Sequence, residues 1–303
     1  MKAVQFSEYG GPEVLRVVDV DEPHAGPGRV RIAVRAAGIN LSDLMKIRAG
    51  TWKGMPIPLP SGVGVEGAGI VDEVGEGVTD VSIGDAVFGY GFNMLAQYAV
   101  LRPWGWARKP DDLPFEEAGG FPVVVETATR ILAQVGVKAG ETLLVSGASG
   151  GIGSAAVQFA LYRGITVIGT ASTRNHDHLR GLGAIPTTYG PGLVERVRKL
   201  APNGVNAALD IAGSGVIPEL IELVGDPSRV ISVADFTAPQ YGAQASLVAQ
   251  KNPELVLVEA ARLYSEGAFR VSLGKTFPLA QASEAYKLCA EGHVTGKLVI
   301  TIS

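Results

Sequence analysis

Cysteine is nearly absent from this chain, which has one, Cys289, among 303 residues. A lone cysteine excludes an intrachain disulfide, and it also excludes a structural zinc site built from four cysteines. Cys289 lies in the stretch 280–291, whose pattern predicts a helix, and we expect it to act there as a small buried apolar residue.

Charge of one sign does not predominate either. The 26 Lys and Arg residues are balanced by 30 Asp and Glu residues, so the net charge is −4, and the basic residues form no dense cluster. Nucleic acids and anionic membranes are bound through such clusters, so we expect neither as a partner. The chain begins without an apolar signal region, which predicts a cytoplasmic protein.

One long segment lacks charge altogether. Residues 142–162 contain no charged side chain, but four glycines and three serines interrupt the run. A strand, a tight turn and a buried helix explain this grouping better than a lipid-exposed helix does. We therefore predict no membrane span.

Glycine, by contrast, is abundant, with 40 residues. Residues 30–35 alternate polar and apolar side chains and predict a half-buried strand. Over 62–87, glycines separate short Val and Ile runs, a pattern typical of short strands joined by tight turns in a small barrel. The first third of the chain is therefore predicted to be β-rich.

From about residue 114 strands and helices alternate, which implies βαβ units around a parallel sheet. Strands are predicted at 142–145, 165–170, 205–211 and 229–233, and helices at 115–135 (interrupted near Pro122), 154–162, 179–182, 192–200 and 216–224. Helices at 253–266 and 280–291 and a strand at 297–301 follow. Because the chain opens and closes with strands, we expect its first domain to be discontinuous.

The sharpest motif is a glycine-rich turn between an apolar strand and a helix, with the sequence LLVSGASGGIG over 143–153. A dinucleotide site needs a tight turn, close approach of the backbone to the pyrophosphate, and a helix N-terminus facing the phosphates. The alternative is a merely tight strand-to-helix turn. We predict cofactor contacts from five consecutive residues: Ser149, Gly150, Gly151, Ile152 and Gly153.

The cofactor preference is predicted from the end of the next strand. NAD-preferring sites usually carry Asp or Glu there, but no carboxylate follows this strand until Asp177. Ser172 and Arg174 can instead donate hydrogen bonds to a 2′-phosphate, which predicts NADPH. The alternative for Arg174 is a solvated loop arginine.

At this point the chain resembles the medium-chain dehydrogenase/reductase superfamily, in its zinc-free quinone oxidoreductase and enoyl reductase branch. The resemblance spans nearly the whole chain and rests on AAGIN (36–40) through KIRAG (46–50), on 60–87, on the glycine loop and on GKLV (296–299). It implies an α/β fold in which a Rossmann doubly wound parallel sheet is inserted into a β-rich GroES-like catalytic domain. The implied domains are 1–118 with 255–303, and 119–254.

The same resemblance bears on zinc. Zinc-dependent relatives place a cysteine shortly after the AGI segment and a histidine directly before Glu66, whereas this chain has Asn40 and Ser42, and then Val65. With one cysteine and four histidines, no catalytic set in the family pattern can be assembled, so no metal site is predicted.

Further site residues are implied by the resemblance. Asn40 and Thr127 would lie near the nicotinamide, although a structural turn role for Asn40 stays open. Many quinone reductases have a tyrosine a few residues after the position of Asn40, where this chain has the sequence LMK over 44–46. Either Lys46 or water would supply a proton there. Cofactor contacts are also implied for Tyr189, Ala212, Ala234 and Lys297. For Tyr189 a surface tyrosine, and for Lys297 a solvated charge at a strand end, are the alternatives.

Without zinc, the accessible chemistry is hydride transfer to a quinone or to the C=C bond of an α,β-unsaturated carbonyl. An apolar wall for such a substrate could come from Trp52, Phe88, Tyr90, Phe92, Met94 and Trp104, although each is more often ordinary packing. An NADPH-binding protein without turnover, and an enoyl reductase of a lipid or polyketide pathway, remain alternatives. Relatives commonly dimerise, so we expect a homodimer.

Overall fold

The computed structural model describes residues 1–52, 54–247 and 252–303. Its strands are β1 Lys2–Phe6, β2 Arg16–Asp19, β3 Val30–Gly38, β4 Thr51–Trp52, β5 Met55–Pro56, β6 Ser61–Gly62, β7 Glu66–Val74, β8 Ala86–Phe92, β9 Tyr98–Arg108, β10 Thr142–Ser146, β11 Thr166–Thr170, β12 Ile185–Thr187, β13 Ala207–Asp210, β14 Val230–Ser232, β15 Gln244–Ala245, β16 Leu273–Pro278 and β17 Lys297–Thr301. Its α-helices are α1 Leu41–Ala49, α2 Phe115–Val135, α3 Gly151–Tyr162, α4 His176–Gly181, α5 Leu193–Leu200, α6 Ile217–Val224, α7 Pro253–Ser265 and α8 Ala282–Glu291.

The chain divides into two compact units, each with its own core. The first comprises Met1–Val123, Asn252–Glu266 and Val271–Ser303, and the second comprises Val124–Lys251 and Gly267–Arg270. The boundaries predicted from the sequence, after 118 and 254, lie a few residues away from these. Sequence placed residues 267–270 in the first domain, whereas in the structure they belong to the second unit, where Phe269 stacks on Phe159 with ring centroids 4.7 Å apart.

The first unit is built on a closed set of antiparallel strands. Its main sheet has the order β16-β17-β3-β7-β8-β9, and β3 also pairs with β9, so that β3, β7, β8 and β9 close on one another. Closure leaves these four strands without an open edge between them. The predicted small barrel is confirmed, but the prediction of several short strands over 62–87 is wrong, because β7 continues for nine residues through its glycines.

The second unit contains a parallel sheet with the order β12-β11-β10-β13-β14-β15. Numbered along the chain this is 3-2-1-4-5-6, the order of a Rossmann fold. Apolar residues from the strands and from α5 and α6 form its core, including Leu144, Ile168 and Leu220. The predicted α/β class, with a Rossmann parallel sheet in one unit and a β-rich barrel in the other, is therefore confirmed.

Helix α2 corrects the sequence analysis, since it runs unbroken through Pro122. Proline has no N–H and crowds the preceding turn, so it usually weakens the helical ladder. In this helix the neighbouring backbone groups find other partners, because the Tyr90 hydroxyl donates to the Pro122 carbonyl at 2.5 Å and the Val123 N–H donates to Glu66 Oε2 at 2.7 Å. Side chains of the barrel therefore hydrogen-bond to the helix at its weakest point.

Two other differences concern helices. The sequence analysis did not predict α1, and α3 begins at Gly151 rather than at 154. Cys289 lies in the predicted helix but is half-buried against the core of the first unit, and burial raises the pKa of its thiol. Across the described residues, no helix has both the length and the apolar character needed to cross a membrane.

Candidate active site

The glycine-rich turn of the second unit joins β10 to α3. Gly147 adopts a positive φ of +80°, and Gly150 precedes the helix in an extended conformation. Gly153 allows the helix to pack against the turn, since a Cβ there would lie 2.2 Å from the Gly147 carbonyl oxygen. A Cβ on Gly150 would come no closer than 3.7 Å to that oxygen. The turn is thus packed behind Gly153 and open at Gly150, as a phosphate cradle requires.

The topology brings the predicted cofactor residues to one edge of the sheet. Strands β10 to β14 are parallel, so their carboxyl ends lie together, and the strand order reverses between β10 and β13. Such a reversal opens the crevice in which dinucleotides bind. The residues that follow these ends are Ser149, Gly150, Gly151, Ile152 and Gly153 after β10, Ser172 and Arg174 after β11, Tyr189 after β12, Ala212 after β13 and Ala234 after β14.

Arg174 and Tyr189 are both exposed, Tyr189 with 52% of its surface, and Ser172 is half-buried. The first carboxylate after β11, Asp177, is bound by Arg180 at 2.6 Å. A cationic and a hydroxyl side chain therefore follow β11 before any carboxylate. The cofactor roles of these residues stay predictions.

Side chains that the sequence analysis did not select hold the glycine turn in place. Asn175 donates from Nδ2 to Ser149 Oγ at 3.1 Å, and His178 Nε2 lies 3.0 Å from Ser154 Oγ. Thr170 Oγ1 accepts from the Gly147 N–H at 3.2 Å. Partial burial lowers the pKa of His178, which favours its neutral form. These contacts connect residues far apart in sequence, so no local pattern indicates them.

A buried carboxylate, which the sequence analysis also did not select, hydrogen-bonds to the loops that follow β13 and β14. Asp210, at the end of β13, is fully buried, and its Oδ1 accepts from the Gly213 N–H at 3.0 Å. Its Oδ2 accepts from the Ser232 hydroxyl at 2.7 Å, and the same hydroxyl oxygen accepts from the Ala234 N–H at 3.1 Å. Asp210 and Ser232 thus fix the backbone at Ala212 and Ala234.

Thr127, in the part of α2 that belongs to the second unit, is only 6% exposed. Its hydroxyl lies 3.5 Å from Glu126 Oε2, and Glu126 forms a buried ion pair with Arg130 at 2.8 Å. Arg130 in turn donates to the Ser246 hydroxyl. The hydroxyl of Thr127 therefore belongs to a polar group that orders this stretch of helix, and its catalytic role stays a prediction.

The first unit contains a second polar group, formed by Asn40, Glu66 and Lys297, which are 8%, 0% and 5% exposed. Lys297 Nζ lies 2.7 Å from Asn40 Oδ1 and 2.7 Å from Glu66 Oε1, and Asn40 Nδ2 donates to Glu66 Oε1 at 2.8 Å. The alternative that Lys297 is a solvated charge is therefore wrong. The side chain of Asn40 does not cap α1, although its backbone carbonyl begins the helix, so its amide serves this group.

Lys46 lies in a neighbouring polar group of the first unit. Its Nζ is 3.6 Å from Asp43 Oδ1 and 4.3 Å from the centre of the Trp52 ring. The Tyr286 hydroxyl donates to Asp43 Oδ2 at 2.9 Å. Burial raises the pKa of Asp43 and also that of Tyr286. Lys46 is thus partnered by a buried carboxyl group, and its role as a proton donor stays a prediction.

The structure excludes two of the six residues predicted to form an apolar wall for the substrate. Phe88 and Met94 are fully buried in the first unit, so neither can line a substrate surface. Trp104 and Phe92 are 76% and 55% exposed, while Tyr90 is committed to the Pro122 carbonyl. Among the residues that the structure describes, no three His, Cys, Asp or Glu side chains are grouped to hold a metal ion.

Comparison with known proteins defines the class. Residues 26–132 match the family model of the alcohol dehydrogenase GroES-like domain, and residues 184–300 match that of the zinc-binding dehydrogenase. A quinone oxidoreductase of Pseudomonas aeruginosa is 31% identical, with 99% of each chain covered. The chain belongs to the medium-chain dehydrogenase/reductase superfamily of oxidoreductases, and quinone oxidoreductases are among its relatives.

Other similarities extend this result. The solved quinone oxidoreductase of Coxiella burnetii has a TM-score of 0.87 at 32% identity, covering 100% of this chain and 99% of that one. A mycobacterial protein solved with NADPH has a TM-score of 0.87 at 26% identity, with 99% and 100% covered. The pikromycin polyketide synthase component PikAII of Streptomyces venezuelae is 35% identical over 91% of this chain, which spans only 8% of that protein's length.

Proposed function

We propose that the chain is an NADPH-dependent reductase that transfers hydride to a quinone or to the C=C bond of an α,β-unsaturated carbonyl, without a metal ion. The observation that carries this proposal is the glycine turn at the reversal of strand order, packed at Gly153 and open at Gly150. NADPH bound there supplies a hydride and its electron pair. The residues present fit this cofactor, since backbone N–H groups at the start of α3 favour an anion.

Different residues of the chain would bind different parts of the cofactor. The backbone of 149–153 binds the pyrophosphate, and Ser172 and Arg174 donate to the 2′-phosphate. Asp210 and Ser232 orient the loops at Ala212 and Ala234, and thereby the backbone groups that contact the nicotinamide half. The preference for NADPH is supported by the absence of a carboxylate in 166–176 and by the NADPH complex of the mycobacterial relative.

Turnover by purified, EDTA-treated protein tests the proposal. NADPH oxidation is followed by the loss of its absorbance against a panel of quinones, 2-alkenals and simple alcohol-derived aldehydes, with NADH as the control cofactor. We expect turnover with conjugated acceptors, undiminished by EDTA and weaker with NADH. Tight NADPH binding without turnover of any acceptor would contradict the proposed reductase activity. It would favour the alternative that the chain is an NADPH-binding protein without turnover.

A second candidate is an enoyl reductase acting on thioesters, and the similarity to the polyketide synthase component favours it. The same assay with a crotonyl thioester of N-acetylcysteamine distinguishes the two, since an enoyl reductase would turn over this thioester faster than any quinone. We also propose a homodimer, from the family resemblance. Sedimentation equilibrium tests the association, and a concentration-independent mass of 31.5 kDa would contradict it.

A further inference from the structure

Lys297 is a buried cation whose hydrogen-bonding capacity is not fully used. Its side chain is 6% exposed, and its ammonium group has three N–H donors. One faces Asn40 Oδ1 and one faces Glu66 Oε1, each at 2.7 Å. Over 1–52, 54–247 and 252–303 the third N–H has no partner. A buried ammonium loses its hydration, so an unused donor at such a site is costly unless a ligand accepts from it.

The carboxylate beside it is, by contrast, well supplied with donors. Glu66 Oε1 accepts from both Lys297 Nζ and Asn40 Nδ2, and Oε2 accepts from the Val123 N–H at 2.7 Å. Glu66 therefore balances the charge of Lys297 and fixes the amide of Asn40. Within the part of the chain that the structure describes, the group has two donors without a partner, one on Lys297 and one on the Asn40 amide, and so fits an oxygen acceptor rather than a cation.

The backbone around this group leaves room for its side chains. A Cβ on Gly120 would lie 2.8 Å from Lys297 Cγ, and a Cβ on Gly38 would lie 2.5 Å from Glu66 Oε1. Any larger residue at these two positions would displace the lysine stem or the carboxylate. Lys297 also begins β17, which is paired on both sides, with β16 and β3. The ammonium is thus held in place by packing as well as by its partners, as a preorganised donor must be.

We propose that the third N–H of Lys297 donates to the carbonyl oxygen of the acceptor and stabilises the negative charge that forms there; this rests on the proposed reductase function. When hydride adds to the conjugated carbon, the C=C electron pair shifts and the carbonyl π electrons move onto oxygen. For an α,β-unsaturated carbonyl, a proton from solvent then completes the α carbon as the carbonyl re-forms. For a 1,4-quinone, the oxyanion takes a proton from solvent, and one hydrogen of the reduced carbon moves as a proton through solvent to the oxygen of the second carbonyl. Lys297 is the catalytic residue of this step, and Glu66 and Asn40 are positioning residues.

Two variants isolate the donor from the charge balance. Lys297→Met removes the donor but leaves the negative charge of Glu66 without a counter-charge. The double variant Lys297→Met/Glu66→Gln is therefore made as well, and in it the group is neutral. Lys275→Met, which changes an exposed lysine on the neighbouring strand β16, is the matched control. Removal of one preorganised donor to an oxyanion typically lowers kcat by about 10²–10³-fold.

We expect both Lys297 variants to lose kcat by about 10²-fold or more. NADPH affinity, measured by fluorescence titration, should change by less than about threefold, because the donor acts on the acceptor, and Lys275→Met should match the parent chain. If the double variant keeps kcat within a few-fold of the parent chain while it binds NADPH, the proposal is refuted. Parallel loss of NADPH affinity would instead assign Lys297 to the cofactor.

A second measurement does not need turnover, and it separates this proposal from the reductase function. 4-Nitrophenol changes colour when it ionises, and a buried ammonium that donates to its oxygen favours the phenolate. We expect the parent chain with NADPH to bind it as the phenolate at a pH where the free phenol is mostly protonated, and Lys297→Met not to do so. Ionisation in the parent chain supports the oxyanion site even if every acceptor fails, and equal behaviour of parent and variant overturns it.

Discussion

Replacing Gly153 by alanine tests the packing of the glycine turn most directly. The added Cβ would lie 2.2 Å from the Gly147 carbonyl oxygen and 2.8 Å from both the carbonyl carbon and the Cα of Ala148. All three neighbours are backbone atoms, so none can move aside by changing a rotamer. The turn itself must shift, and with it the N–H groups that we propose bind the pyrophosphate.

The expected change in the free energy of unfolding is the difference between two opposing effects. Overpacking typically costs about 1–3 kcal/mol and occasionally more, and three backbone contacts at or below 2.8 Å belong at the upper end. Alanine in a helix regains about 1 kcal/mol relative to glycine. We therefore expect a net loss of about 2 kcal/mol in the free energy of unfolding, which corresponds to a fall in Tm of about 4–8 °C for a domain of this size.

Gly181→Ala provides the matched control, because Gly181 is also helical and has no atom within 4 Å of its added Cβ. We expect it to be neutral or slightly stabilising. Chemical denaturation gives the free energies, and a titration of NADPH fluorescence gives the dissociation constants, which should rise at least about tenfold for Gly153→Ala only. Equal stability and equal affinity in the two variants would refute the role of Gly153 in packing the turn.

Three further outcomes are expected. Arg174→Ala should raise the dissociation constant of NADPH by about 5–10-fold, because it removes a charge-assisted hydrogen bond at an exposed site. Fluorescence titration measures this constant, and a similar rise for NADH would contradict a contact between Arg174 and the 2′-phosphate. Burial raises the pKa of Asp43 in the folded chain. Its contribution to the free energy of unfolding is therefore complete when the pH is below the ordinary pKa of aspartate, and it is lost as the pH rises through the raised pKa. Denaturation midpoints measured across this range should therefore fall more steeply with pH for the parent chain than for Asp43→Asn, and parallel curves would show that Asp43 is not the group responsible. Activity should survive EDTA, and a loss restored by Zn²⁺ would contradict a metal-free mechanism.

The sequence indicated the fold of the second unit well, because its signals are local. A strand, a glycine-rich turn and a helix follow one another within 142–162, and each depends on neighbours a few residues away. The parallel sheet follows from the alternation of strands and helices, since parallel neighbours need a crossover between them. Ser172 and Arg174 were predicted from the sequence for the same reason, whereas Tyr189, Ala212 and Ala234 were implied only by the family resemblance.

Helix α1 shows where local patterns fail. Three of its side chains depart from the usual pattern, since Asp43 is buried while Leu41 and Met45 are 51% and 43% exposed. Asp43 can be buried because the Tyr286 hydroxyl, 243 residues further along the chain, donates to it. The helix therefore depends on a tertiary partner, which no window of sequence around it contains.

Pro122 gives a similar lesson. Sequence analysis predicts a break there because proline removes a ladder hydrogen bond. The helix nevertheless continues, and a hydroxyl from β8 and a carboxylate from β7 hydrogen-bond to the carbonyl and the N–H of the Pro122–Val123 peptide. Those partners are 32 and 57 residues away, and only the closure of the barrel brings them to the helix.

The sequence by itself determined the α/β class, the glycine turn and the superfamily, since each is encoded in short, contiguous patterns. Only the tertiary structure decided which polar side chains are buried together. Asn40 and Lys297 are 257 residues apart, and Glu66 appeared in the sequence only as a landmark of the family pattern. Their charges can be buried because each compensates another, and such compensation depends on distances of 2.7–2.8 Å that folding alone establishes.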